Sequence, residues 1–136
     1  MKALVVDDSE LARRVLGRMM LMLGHAEPIE AEDGFRALEV LAGAAEGDFD
    51  IVFVDLNMPR LGGVDLIKRM QQDERLKRIP VLVVSAEATP DRAVEAIKAG
   101  AMGYLTKPYH VDALRRQLEA IVSAGSVDDL EQSREL

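Results

Sequence analysis

Two short runs constrain the fold of this chain more than anything else in it: Ile51-Val52-Phe53-Val54 and Val81-Leu82-Val83-Val84. Each is too short to be a core helix and is rich in β-branched residues, so each reads as a strand. A strand with one wet face alternates apolar and polar side chains. These runs are apolar throughout, so both faces must be covered, as in a parallel sheet sandwiched between helices. Three further segments complete a set of five strands: Ala3–Asp7, Pro28–Ala31, Ile51–Asp55, Val81–Ser85 and Gly103–Thr106.

Helical patterns fill the intervals. In Ser9–Leu23 the residues Leu11, Val15, Met19 and Leu23 recur every fourth position, which predicts an apolar stripe with Ser9 as N-cap. A second helix begins after Asp33-Gly34 and carries Leu38 and Leu41. A third, Gly63–Gln72, carries Val64, Ile67 and Met70. Thr89-Pro90 supplies an N-cap and a first-turn proline for the fourth, which Ala99-Gly100 closes. The fifth, Val111–Val122, presents Leu114, Leu118, Ile121 and Val122. Five β-α units in strict alternation predict an α/β, doubly wound five-stranded parallel sheet. Residues 1–124 fit one such domain. From Gly125 the chain leaves the stripe, and residues 125–136 are expected to form a polar, acidic, partly helical tail without an output domain.

Composition narrows the function. Acidic residues outnumber basic ones 24 to 17, a net charge of −7. That sign argues against nucleic acid and anionic membranes, and suits a cation or a basic protein surface. No cysteine is present, so thiolate catalysis and cysteine-ligated zinc are excluded. No apolar run approaches the ~20 residues of a spanning helix, and Leu4-Val5-Val6 is too short for a signal-peptide core. A cytoplasmic monomer is expected.

In a doubly wound sheet, ligands bind beyond the carboxyl ends of the strands. Asp7 and Asp8 follow the first strand, and Asp55 ends the third, ahead of Leu56-Asn57-Met58-Pro59. Ser85 ends the fourth, and Thr106-Lys107-Pro108 closes the fifth. Each alone has an ordinary explanation as a helix cap, a turn residue or a solvated lysine. Their convergence on one edge of the sheet is what points to a site. Like charges ~4 Å apart repel by about 4 kcal/mol at an effective dielectric near 20, so three clustered carboxylates imply a cation. An all-oxygen donor set favours Mg²⁺ or Mn²⁺. A divalent ion and a lysine around one carboxylate can stabilise a transferring phosphoryl group.

The Asp-Asp pair, Asp-x-Asn-Met-Pro, the serine and Lys-Pro together resemble the response-regulator receiver domains of two-component signalling, and most of all their stand-alone chemotaxis members. The resemblance covers about residues 2–122. It implies the flavodoxin-like strand order 2-1-3-4-5 with five helices on both faces. It also implies Asp55 as phosphoacceptor, and Asp7, Asp8 and the Asn57 backbone carbonyl as metal ligands beside it. Ser85 and Lys107 would each hold a phosphoryl oxygen. Tyr104 falls on the family's aromatic switch position, Glu87 and Asn57 flank the site, and the Lys107–Pro108 bond is expected to be cis. Where family members carry an aspartate before the glycine at Gly63, this chain has Gly62. The seven methionines read as core filler, and His25 and His110 as surface or capping residues.

Two other functions were weighed. An aspartyl-nucleophile phosphatase would place a second aspartate two residues after the nucleophile, where Asn57 stands, and would need a cap insertion. A flavin-mononucleotide binder would need a Ser/Thr/Gly-rich loop after the first strand, where Asp7-Asp8 would repel phosphate. A phosphorylation switch is therefore expected, catalysing only its own phosphorylation and dephosphorylation. Its donor would be a histidine kinase or phosphotransfer protein, and its output a downstream protein. That protein would dock on the fourth helix, fifth strand and fifth helix, at a face including Ala93, Tyr104, Thr106 and Tyr109.

Overall fold

A computed structural model describes residues 1–87 and 89–135, with side chains through Ala124 except Ala88. The elements run β1 (Ala3–Val6), α1 (Glu10–Met22), β2 (Ile29–Ala31), α2 (Gly34–Ala42), β3 (Ile51–Val54) and α3 (Gly63–Gln71). A 3₁₀ turn (Leu76–Arg78), β4 (Val81–Ser85), α4 (Pro90–Ala99), β5 (Gly103–Thr106) and α5 (Val111–Glu135) follow. The strands form one parallel sheet in the order β2-β1-β3-β4-β5. The alternation along each strand splits the core in two. Leu4, Val6, Val52, Val54, Val81 and Val83 face Ala37, Leu41, Leu66, Ile67, Met70 and Ala96 of α2, α3 and α4. Ala3, Val5, Ile51, Phe53, Leu82 and Val84 face Leu16 and Met20 of α1 and Leu114, Leu118 and Ile121 of α5. The continuous apolar runs are thus explained: every side chain of β1, β3 and β4 is buried. Among the described residues no helix is long and apolar enough to cross a membrane.

Local chemistry sets the helix starts. Ser9, Asp33 and Thr89 each accept a hydrogen bond from the backbone N–H three residues on, satisfying a donor the helix cannot. Gly62 occupies the same position at α3 and offers no side chain, so that helix begins uncapped. Its neighbour Gly63 is required, because a Cβ there would collide with the Asp55 carbonyl and the Leu56 Cα.

Two expectations about helices are corrected. The α1 stripe is not Leu11-Val15-Met19-Leu23: Leu11 is 72% exposed and Val15 40%, whereas Leu16 and Met20 are buried. Two adjacent rows with the same four-residue spacing lie on this helix, and spacing alone does not choose between them. Val122 is likewise exposed, and α5 does not end there but continues to Glu135. Gly125 costs a helix about 1 kcal/mol without stopping it.

Candidate functional site

Strand register delivers the site. Val6 lies level with Val54, so Asp7 and Asp55 leave adjacent strands at the same height. The Asp55 amide donates to the Val6 carbonyl and the Asp7 amide to that of Ala31, carrying the parallel ladder one residue past the strands. Ser85 pairs with Thr106 on β5, and the Lys107 amide donates to the Ser85 carbonyl at 2.9 Å. Four residues far apart in sequence, Asp7, Asp55, Ser85 and Lys107, are thus gathered on the carboxyl edge of the sheet. The Lys107–Pro108 bond is cis, as expected.

Asp7 and Asp55 are buried, 4% and 8% exposed, while Asp8 faces solvent. Each buried carboxylate divides its two oxygens. Asp7 Oδ1 accepts from the Ser9 amide at 2.9 Å, and Asp55 Oδ1 from the Asn57 amide at 3.1 Å. The other oxygen of each turns to Lys107, whose Nζ donates to Asp7 Oδ2 at 2.6 Å and to Asp55 Oδ2 at 3.1 Å. Burial disfavours charge on this lysine, but its hydrogen bonds to the two carboxylates outweigh that and raise its pKa. One ammonium balances one of three carboxylates. Asp7, Asp8 and Asp55 offer oxygens within 4.8 Å of one another, a donor set that fits a hard divalent cation.

Ser85 is fully buried, and its Oγ accepts from the Glu87 amide at 3.3 Å. The Glu87 carbonyl in turn accepts from the Tyr104 hydroxyl. The ring of Tyr104 is half-buried against the α2–α4 side of the core. Ala93 is half-buried and Thr106 exposed on the same edge. Tyr109 departs from expectation. It packs on the opposite layer with α1 and α5, lining the space beside Asp7, Asp55 and Lys107. Burial, reinforced by the Asp7 charge, pushes its phenol up to about 12.

Sequence reasoning missed two arginines. Arg13 of α1 donates to the Asp7 carbonyl at 2.7 Å and to Glu30 at 3.0 Å, fastening the β1 end to β2. Arg92 of α4 binds Glu87 and Glu95 and reaches Asn57. The spacing Glu87…Arg92…Glu95 signals a charged helix start, but nothing in the sequence places Asn57 beside it. His110 does serve as a cap, through its backbone carbonyl, at the start of α5. His25 is half-buried, and its Nδ1 lies 3.0 Å from the terminal amine. Burial and that positive charge lower its pKa.

Comparison with known proteins bears on the family and the fold. The family described as the response regulator receiver domain matches residues 3–119. The chain is similar to the chemotaxis protein CheY of Pseudomonas aeruginosa, 42% identical over 121 residues, covering 89% of this chain and 95% of that protein. Similarity to CheY-3 of Vibrio cholerae is also 42% over 121 residues, with 89% and 91% covered. Among solved structures, the chemotaxis response regulator CheY4 of Vibrio cholerae superposes with a TM-score of 0.78. It is 31% identical and covers 88% of this chain and 97% of its own.

Proposed function

The chain belongs to the response regulator receiver domain family of two-component signalling, and from that premise we propose that Asp55 is a phosphoacceptor whose phosphorylation switches a protein-binding surface. The observation that carries the proposal is the bridge from Lys107 to both Asp7 and Asp55, with Asp8 alongside. A half-buried lysine bridging two buried carboxylates that stand beside a third has no packing rationale that a leucine would not serve better. It suits a carboxylate that gains and loses a phosphoryl group.

Asp7, Asp8, Asp55 and the Asn57 backbone carbonyl would hold Mg²⁺ or Mn²⁺. Bound there, the ion would neutralise charge on the oxygens of the transferring group. Asp55 supplies the nucleophile, a carboxylate oxygen that bonds phosphorus while the bond to the donor breaks. For a histidine kinase or phosphotransfer protein that bond is P–N, and its electron pair returns to the imidazole. Lys107 would exchange its Asp55 contact for a phosphoryl oxygen, and the Ser85 hydroxyl would move to donate to another. Water attack on the acyl phosphate reverses the modification. The chain then catalyses only its own phosphorylation and dephosphorylation.

The output follows from Glu87. Its amide holds Ser85 Oγ and its carbonyl holds Tyr104, so movement of the serine toward a phosphoryl group is felt at the tyrosine through one residue. The loop concerned is Ala86–Thr89, of which Ala88 lies outside the described residues. Tyr104 would turn inward and reshape the face of α4, β5 and α5, with Ala93 and Thr106, for a downstream protein. Residues 1–124 would constitute the receiver domain, with 125–136 a polar acidic tail.

Incubation with acetyl phosphate and Mg²⁺ tests the core of this reading. The protein should gain one phosphoryl group, chelation of the metal should suppress the gain, and Asp55→Asn should abolish it. Undiminished labelling of the asparagine variant would refute the assignment.

A further inference from the structure

Arg92, in the first turn of α4, takes no part in the chemistry above, yet its guanidinium joins three elements. Nε donates to Glu87 Oε2 at 2.9 Å, Nη1 to Glu95 Oε2 at 3.0 Å, and Nη2 reaches Asn57 Oδ1 at 3.5 Å. Glu87 follows β4 and Asn57 follows β3, so one side chain ties together the two loops that flank Asp55. The pair with Glu95, three residues on, is an ordinary surface contact that a helix makes for itself. It accounts for one nitrogen. It does not account for a guanidinium turned toward an asparagine 35 residues away, with a side chain only 29% exposed. The Asn57 amide is itself held by Asp55 Oδ1, so Arg92 is two hydrogen bonds from the phosphoacceptor.

We infer that Arg92 is a positioning residue for phosphodonor selection: it neutralises Glu87 beside the approach to Asp55, holds Asn57 at the rim, and so favours small, multiply charged anionic donors. This rests on Asp55 being the phosphoacceptor. With acetyl phosphate, an Asp55 oxygen bonds phosphorus, the P–O bond to the acetyl group breaks, and acetate leaves with the electron pair. With phosphoramidate the P–N bond breaks, and the already protonated nitrogen leaves as ammonia. The chemistry is alike but the charge is not: acetyl phosphate arrives as a dianion at neutral pH and phosphoramidate as a monoanion. Without Arg92, the Glu87 carboxylate faces both. Losing one positive charge across roughly 8 Å of water slows approach of a dianion about fivefold and of a monoanion about twofold. Added salt screens both effects.

The test measures second-order rate constants for phosphorylation by each donor in Mg²⁺, at low and high potassium chloride. The proteins are the wild type, Arg92→Gln, Arg92→Lys and the double variant Arg92→Gln/Glu87→Gln. At low salt Arg92→Gln should lose about fivefold with acetyl phosphate and about twofold with phosphoramidate, and both losses should shrink at high salt. Arg92→Lys should keep most of the wild-type rate. The double variant should recover it, which also shows that the glutamine protein is folded. Equal losses with both donors at both salt concentrations, or a loss the double variant does not recover, would mean that Arg92 only props α4. Unchanged rates in Arg92→Gln would overturn the inference outright. A wild-type protein that takes up no label from either donor would instead overturn the reading of Asp55.

Discussion

Lys107 reaches Asp7 Oδ2 and Asp55 Oδ2 at once, and this double contact offsets the repulsion between the two carboxylates. Without it, two largely buried carboxylates would stand beside Asp8 with no fixed cation between them. Lys107→Ala should therefore destabilise the metal-free protein by about 1–3 kcal/mol, measured by urea unfolding near neutral pH. Adding Asp7→Asn to that background should recover part of the loss, since the amide oxygen still serves the Ser9 amide. The pH dependence has a definite sign. The folded pKa of Lys107 is raised, so the bridge contributes fully below the ordinary lysine value and its contribution is lost as pH rises through the raised one. The stability gap between wild type and Lys107→Ala should accordingly close at strongly alkaline pH. Asp7, Asp8, Asp55, Ser85 and Lys107 were readable in the sequence because each stands at or just past a strand end. The partners of Arg92 were not, since its contact with Asn57 depends on the paths of two loops that no periodicity describes.

Elements were legible where one pattern excluded its rivals. The runs at β3 and β4 admitted no other reading, and Thr89-Pro90 and Gly100 bound α4 as expected. Helix α1 carries two candidate rows, and the buried one is set by how the helix lies on the sheet. Its assignment is testable. Leu16→Ala should cost about 2–5 kcal/mol in urea unfolding, as core truncations do. Leu11→Ala should stay within about 0.5 kcal/mol. Similar costs for the two would return the stripe to the Leu11 row. Tyr109 was misplaced for a related reason: three residues beyond the end of β5, no alternation rule says which layer a side chain joins.

At the scale of the molecule, the sheet separates two jobs. Its interior is apolar on both faces and its carboxyl edge carries the Asp7–Asp55–Lys107 cluster, so the proposed modification there would act on loops resting on a packed core. Tyr104 and Tyr109 lie on opposite layers, which leaves Tyr104 as the aromatic linked through Glu87 to Ser85. Two conformations differing by a few kcal/mol are enough for one phosphoryl group to shift the balance. The proposed switch depends on where a phosphoryl group would go. Borohydride reduces an aspartyl phosphate to homoserine, which peptide mass spectrometry locates to a single residue. After treatment with acetyl phosphate and Mg²⁺, homoserine should appear at position 55 and nowhere else. Homoserine at Asp7 or Asp8, or an intact phosphate on Ser85 with Asp55 unreduced, would contradict the assignment of Asp55 as the phosphoacceptor.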